Sequence, residues 1–137
     1  MKSLKEILEI ISIDAEDYIS AQLATIPLDD FDEYVIGPSR KENNKSLCIL
    51  IDPEVSVNVT EQRIAVLFYM QMFKTNYTDA LLYSDTVLKY IKAFDTNLID
   101  MSYIDNISLD IMPIDNNSHT LIYISAIFYN PLDSCDD

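Results

Sequence analysis

The most apolar stretch of the chain, residues 64–73 (IAVLFYMQMF), does most to limit what the chain can fold into. Its two alternating sets of side chains are both largely apolar, which is typical of a strand buried on both faces rather than one at a sheet edge. A helix is the competing interpretation of so apolar a run, but its β-branched and aromatic residues favour a strand. We therefore predict an interior strand of a sheet that is covered on both faces.

A helix is predicted immediately after this strand, over residues 78–94. Asn76 or Thr78 can cap its start, and Lys89 and Lys92 near its end complement the helix dipole. Its apolar residues recur at helical spacing and form one stripe, which consists of Ala80, Tyr83, Val87, Ile91 and Phe94. Strand and helix together are expected to form a scaffold that carries no chemistry of its own.

The rest of the chain predicts an α+β domain. Helical spacing marks residues 2–26, with an interruption at Ser12 or Asp14, so this region is predicted to be one helix with a break or two short helices. Strands are predicted over residues 34–36, 47–51, 55–59, 107–111 and 121–129. The last of these is apolar on both faces and is expected to be interior. This order of elements favours a mainly antiparallel sheet with an N-terminal helix and one long helix packed across the sheet.

The size of the chain fits one domain with a buried core, because it has 137 residues of which 49% are hydrophobic. We predict a single domain over residues 1–137, in which residues 1–14 and 131–137 are peripheral or frayed. Lys5, Glu6 and Glu9 interrupt the first apolar residues, so no signal peptide is expected. No apolar run approaches the roughly 18 residues that span a bilayer. We therefore expect a cytoplasmic protein.

The formal net charge is −14, from 23 acidic and 9 basic residues. A surface of this kind repels nucleic-acid phosphates and anionic membranes, since binding either one depends on clustered Lys and Arg. Two interpretations remain open. The surface is simply solvated, or it allows a polyanion to pass without sticking.

Residues that carry catalytic or metal chemistry are scarce in this chain. His119 is the only histidine, and the single glycine excludes the glycine-rich loops that bind nucleotide phosphates. Cys48 lies in an apolar run and is expected to be a buried hydrophobic residue, and Cys135 lies in an acidic tail, so neither a disulfide framework nor a zinc site is predicted. We expect a protein without enzymatic activity, cofactor or bound metal.

Charged side chains form two local clusters. The acidic cluster lacks the spacing of a calcium-binding loop and consists of Asp29, Asp30, Asp32 and Glu33. The basic cluster lies in a polar, Asn-rich segment that we expect to be an exposed loop, and it consists of Arg40, Lys41 and Lys45.

Three stretches resemble the tail terminator and neck-protein families of long-tailed bacteriophages. EQRIAVLFYMQMF is similar to the long central strand of these families, and TNYTDALLYSDTVLKYIKAF resembles their helix, which often starts with an Asp-Ala pair (here Asp79 and Ala80). ISLDIMPIDNNSHTLIYISAIFY is similar to their closing pair of strands. Residues 15–38 also resemble the opening helix and the short extended piece that ends in glycine, here Gly37. The resemblance covers most of the chain and consists in the pattern of apolar residues and the order of the predicted helices and strands.

The resemblance implies a non-enzymatic ring subunit, commonly a hexamer, with a tail-terminator-like fold. Such a ring would cap the tail tube, dock to the head connector, and let DNA pass through its lumen only as cargo that does not stick. The partners would be other copies of the chain, the tail tube and head-completion proteins, with no membrane involved. The protein would be cytoplasmic during assembly and part of the virion tail, or of a phage-like particle, when mature.

The two charged clusters then gain candidate roles. Asp29, Asp30, Asp32 and Glu33 are candidates for an acidic rim or lumen, since acidic side chains repel DNA phosphates. Arg40, Lys41 and Lys45 are candidates for a subunit or partner contact. The alternative from a different class is a small acidic adaptor or regulatory domain that binds a single protein partner.

Overall fold

The described part of the chain folds as two α-helices packed on a five-stranded mixed sheet, so the predicted α+β fold is confirmed. The computed structural model describes residues 2–39, 44–55, 57–58, 62–114 and 119–131. The elements in chain order are α1 (Leu4–Thr25), β1 (Glu33–Ile36), β2 (Lys45–Ile51), β3 (Arg63–Phe73), α2 (Tyr77–Ala93), a 3₁₀ turn (Thr96–Ile99), β4 (Tyr103–Ile114) and β5 (His119–Tyr129).

The strand order in the sheet is β1-β2-β3-β5-β4. β1 pairs with β2 in parallel, and the other three pairings are antiparallel, as the sequence predicted for most of the sheet. β3 is therefore the central strand and β5 is interior, which confirms both predictions. β1 and β4 form the two edges of the sheet.

Both helices pack on the same face of the sheet and enclose the core there. Phe68 of β3 lies 6.1 Å from Tyr90 of α2 between ring centroids, and Phe94 lies 5.7 Å from Phe128 of β5. The side chains that β3 and β5 direct to this face are almost fully buried, and they are Ile64, Val66, Phe68, Met70, Met72, Ile122, Ile124, Ala126 and Phe128. Removal of so much apolar surface from water is the main stabilisation of this layered fold.

α1 is one unbroken helix, so the predicted break near Ser12 or Asp14 is wrong. Its buried residues recur every four positions from Ile7 to Leu23 without a change of phase, and the hydroxyl of Tyr90 donates to Asp14 Oδ2 at 3.0 Å. A polar residue on a helix flank that finds a partner on a neighbouring helix does not end the helix. Ile7 and Ile11 are fully buried, so the prediction that residues 1–14 are peripheral is also wrong for the described part. Residues 132–137 lie outside the described chain.

α2 begins where the sequence predicted, because the side chain of Asn76 accepts a 2.8 Å hydrogen bond from the backbone N–H of Asp79. The prediction of one long helix across the sheet needs correction, however. α1 has 22 residues and α2 has 17, and the two helices pack against each other on the same face.

Two strand predictions differ from the structure. Residues 55–59 form no strand among the described positions, and only a single bridge joins Asn58 to Arg63. The side chain of Asp52 instead accepts from the N–H of Glu54 and closes a turn. β4 is much longer than the predicted 107–111, because it follows β5 past a bulge between Ile104 and Asn106 that hides its alternation.

Candidate interaction surface

Neither helix packs on the opposite face of the sheet, and among the described residues the turn after β2 lies against one end of it, where the hydroxyl of Ser125 donates to Asp52. The prediction that β3 is covered on both faces holds for its first half, where Ala65 and Leu67 on this face are 0% and 9% exposed, and fails for its second half, where Tyr69, Gln71 and Phe73 are only half-buried. The side chains that alternate with the core set form this surface, which we call the open face. Its members are Leu67, Tyr69, Gln71 and Phe73 of β3, His119, Leu121, Tyr123, Ser125, Ile127 and Tyr129 of β5, and Ser108, Asp110 and Met112 of β4.

Aromatic pairs run across the open face between neighbouring strands. Ring centroids lie 4.9 Å apart in the pair Tyr69–Tyr123 and 4.8 Å apart in the pair Phe73–His119. Burial, together with the neighbouring Tyr123, raises the pKa of Tyr69 to about 12. These contacts hold the rings in defined positions and keep part of the open face away from water, as is common at surfaces that bind other proteins.

A groove of about 440 Å³ crosses the open face from the turn after β2 to β4. Its floor contains Leu67 and Tyr123. Asp52 is 8% exposed at its wall, where the hydroxyl of Ser125 donates to Asp52 Oδ2 at 2.6 Å. The remaining lining residues are Pro53, Glu54, Ser108, Asp110, Ile111 and Met112. The groove thus joins an apolar floor to three acidic side chains.

The edge strand β4 exposes apolar side chains on both of its faces. Met112 is 49% exposed on the open face, and Leu109 is 41% exposed on the side of the helices. α2 does not reach over β4, and a second groove of about 510 Å³ lies between the end of α2 at Lys92 and Ile104 and Ile107 of β4. The bulge within β4 and Pro113 near its end are features that limit uncontrolled pairing of an edge strand.

The acidic cluster is held by hydrogen bonds within the chain. Asp29, Asp30 and Asp32 are exposed and Glu33 is half-buried. Asp30 accepts hydrogen bonds from the hydroxyls of Ser20 at 2.7 Å and Tyr34 at 2.5 Å. Burial, followed by the hydrogen bond to Asp30, raises the pKa of Tyr34 well above its usual range.

The other members of this cluster connect it to β2 and α2. Asp32 Oδ2 accepts from the backbone N–H of Lys45 at 2.9 Å, and the carbonyl oxygen of Asp29 accepts from the hydroxyl of Tyr83 at 2.5 Å. Glu33 accepts from the hydroxyls of Ser39 and Ser46. No group of three or more His, Cys, Asp or Glu residues in the described ranges is arranged to hold a metal ion. The role of the cluster as a rim or lumen stays a prediction.

The basic cluster is described only in part. Arg40 and Lys41 lie outside the described residues. Lys45 begins β2, where its Nζ donates to the hydroxyl of Tyr83 at 3.3 Å and lies 5.4 Å from the centre of that ring. Burial and the nearby Asp29 raise the pKa of Tyr83 to about 12. Lys45 therefore has a contact within the chain, and its role toward a partner stays a prediction.

The open face was missed at the level of sequence, although a signal for it exists. The set of β3 and β5 residues that faces the helices is apolar apart from Thr120, whereas the opposite set includes Tyr69, Gln71, Tyr123 and Ser125. Tyrosine, glutamine and serine tolerate partial contact with water, so this asymmetry marks the uncovered face.

No family model matches the sequence, and no curated protein matches it. Among the described residues, no helix has both the length and the apolar character needed to cross a membrane.

Proposed function

We propose that this protein is a non-enzymatic structural subunit that assembles with copies of itself into a ring, and that the ring terminates a phage or prophage tail tube and docks to the head connector. The observation that carries the proposal is the edge strand β4, which exposes the apolar side chains of Leu109 (41%) and Met112 (49%) on its two faces beside a well-packed core. Contiguous apolar patches on soluble domains mark sites of association.

The two edges of the sheet favour a ring over a two-fold dimer. β4 has 12 residues and exposes apolar side chains, whereas β1 at the opposite edge has 4 residues. A contact between unlike edges is head-to-tail, and such contacts close into rings when the rotation between subunits allows it. We assign the ring contact to the edge strand β4 and its helix-side residue Leu109, in a ring of about six subunits as the resemblance to tail terminators implies.

The acidic charge of the chain supports a ring that encloses DNA without binding it. A net charge of −14 repels phosphates, so DNA would pass through the ring as cargo. Asp29, Asp30 and Asp32 are exposed and are our candidates for the rim of the lumen, with Glu33 beside them. The mature protein would then belong to the virion tail or to a phage-like particle.

The test is the oligomeric state of the purified chain by native mass spectrometry, with negative-stain imaging alone and after mixing with tail tubes. We expect closed rings of about six subunits and rings at tube ends. Leu109→Lys should abolish rings because it places a charge in the contact. Leu82→Lys is the matched control, since Leu82 is 38% exposed on α2 and Leu109 is 41% exposed on β4.

Two outcomes would contradict the proposal. One is a chain that stays monomeric over the whole concentration range, and the other is equal loss of rings in both variants. A monomer that ignores tail tubes and binds a defined basic peptide would favour the second candidate, a small acidic adaptor domain with a single protein partner. The acidic groove on the open face is the observation that favours that candidate.

A further inference from the structure

We infer that the groove on the open face is a docking site for a basic side chain, Lys or Arg, presented by an extended segment of a different protein. This inference deepens the proposed function, because it names the chemistry of the partner to which the ring docks. It concerns the groove around Asp52, Glu54 and Asp110, whereas the ring contact is assigned to the side of β4 that contains Leu109.

The shape and the floor of the groove suit a long side chain with an apolar stem. The groove has a volume of about 440 Å³, with Leu67 and Tyr123 in its floor and the half-exposed Met112 beside them. Lys and Arg cover apolar surface with their methylene groups while the charged end reaches a polar partner. The face of Tyr123 adds an aromatic ring near which a cation is favoured.

The acidic side chains around the groove favour a positively charged occupant. Asp52, Glu54 and Asp110 are acidic, and neither Lys nor Arg is among the described residues that line the groove. The ion pairs present among the described residues, Lys2–Asp100 and Lys5–Glu9, involve none of these three carboxylates. The acidic wall therefore offers unneutralised charge to a partner, and charge complementarity of this kind decides which partner binds and how fast it binds.

The position of Asp52 is set before any partner arrives. The hydroxyl of Ser125 donates to one of its carboxylate oxygens at 2.6 Å, and the N–H of Glu54 donates to the other at 2.9 Å. A side chain that is already immobile loses little further freedom on binding, which increases affinity. Glu54 and Asp110 are exposed and can approach the incoming cation from two sides.

The test is a titration of the full-length protein with two synthetic peptides, one alternating Val and Lys and one alternating Val and Glu. Isothermal titration calorimetry gives the affinity, and amide shifts in NMR spectra locate the contact. We expect binding of the Val-Lys peptide with shifts at Tyr123 and Ser125, and no binding of the Val-Glu peptide. The double variant Glu54→Gln with Asp110→Asn should weaken binding about tenfold, the sum expected for two partly desolvated charge pairs.

Asp105→Asn is the matched control, because Asp105 is also an exposed acidic residue of β4 but does not line this groove. Equal weakening by the control and the double variant would overturn the inference, since it would indicate general attraction to an acidic protein. Loss of rings in the double variant without peptide would also overturn it, because the groove would then belong to a second copy. If rings form but the protein does not distinguish the Val-Lys peptide from the Val-Glu peptide, the docking site is refuted and the proposed ring is not.

Discussion

The two faces of the sheet differ in how far their side chains are buried. On β3, Phe68 is 1% exposed and packs against Tyr90 of α2, whereas its neighbour Tyr69 is half-buried on the opposite face and packs against Tyr123 of β5. One strand thus contributes one set of side chains to the core and leaves the other set at a surface. The difference teaches that an apolar pattern in an interior strand shows that one of its faces lies in the core. The same pattern does not show whether the other face is buried within the chain or is available to a partner.

The free energy that each face contributes follows from its contact with water. A fully buried Phe or Ile side chain stabilises the fold by about 1.5–3 kcal/mol relative to exposure. Side chains of the open face retain part of their contact with water in the isolated chain and contribute correspondingly less. The rest of the stabilisation available from burying these side chains would be gained only when a partner covers them.

The largest expected effect compares these neighbours directly. Phe68→Ala should lower the free energy of unfolding by about 3–5 kcal/mol, because it leaves a cavity beneath α2. Tyr69→Ala should cost only about 1 kcal/mol, the value of a cross-strand aromatic pair. Urea denaturation followed by circular dichroism, at concentrations where the chain is monomeric, measures both. Equal losses for the two variants would break the comparison between the faces.

A smaller effect is expected where the two helices are joined. The hydroxyl of Tyr90 donates to Asp14 Oδ2 at 3.0 Å, and burial followed by the nearby Asp14 raises the pKa of Tyr90 well above its usual range. Tyr90→Phe should cost about 1.5 kcal/mol, since it removes a buried hydrogen bond to a carboxylate. Tyr18→Phe is the control, because Tyr18 packs on the same ring at 5.5 Å. A cost for Tyr18→Phe as large as for Tyr90→Phe would assign the effect to packing rather than to the hydrogen bond.

The smallest expected effect is a loss of stability at alkaline pH, and it tests how far water reaches the side chains of the open face. Burial raises the pKa of Tyr69 on the open face and of Tyr83 on α2 from 10.0 to about 12. Below pH 10 both groups are protonated in the folded and unfolded chain. As the pH rises from about 10 to about 12, the unfolded chain loses these protons first, so stability falls.

Each of these tyrosines contributes at most about 1.4 kcal/mol per pH unit to that fall, so Tyr69→Phe and Tyr83→Phe should each make it less steep. Tyr77→Phe is the control, because Tyr77 is 53% exposed on α2. Thermal melts at a series of alkaline pH values provide the measurement. An unchanged slope for Tyr69→Phe beside a reduced slope for Tyr83→Phe would show that water reaches the open face freely.

Local sequence patterns predicted the elements of the fold well where the pattern is strong. Residues 64–73 and 78–94 were predicted close to the observed β3 and α2, because their side-chain periods are those of a strand and a helix. The predictions failed where a residue suggested a local stop that a distant contact removes, as Asp14 shows through its hydrogen bond with Tyr90. They also failed in β4, where a bulge conceals the alternation of side chains.

The candidate site could be predicted only in part. Asp52 and Asp110 are 58 positions apart in the sequence, and only the pairing of β2 with β3, of β3 with β5 and of β5 with β4 places them in one groove. The acidic cluster from Asp29 to Glu33 was found from sequence because its members are adjacent. Its hydrogen bonds with Ser20 and Ser46 were not predictable, since they depend on how α1 and β2 lie against the segment that contains the cluster.

The sequence by itself determined the central strand and the helix that follows it, because periodicity is a property of neighbouring residues. It also determined the acidic character of the surface and the scarcity of catalytic side chains. Only the tertiary structure decided that α1 and α2 lie on the same face and that the second half of β3 is left open on the opposite face. Layer packing is settled by contacts between segments far apart in the chain, and no local pattern records which face receives both helices.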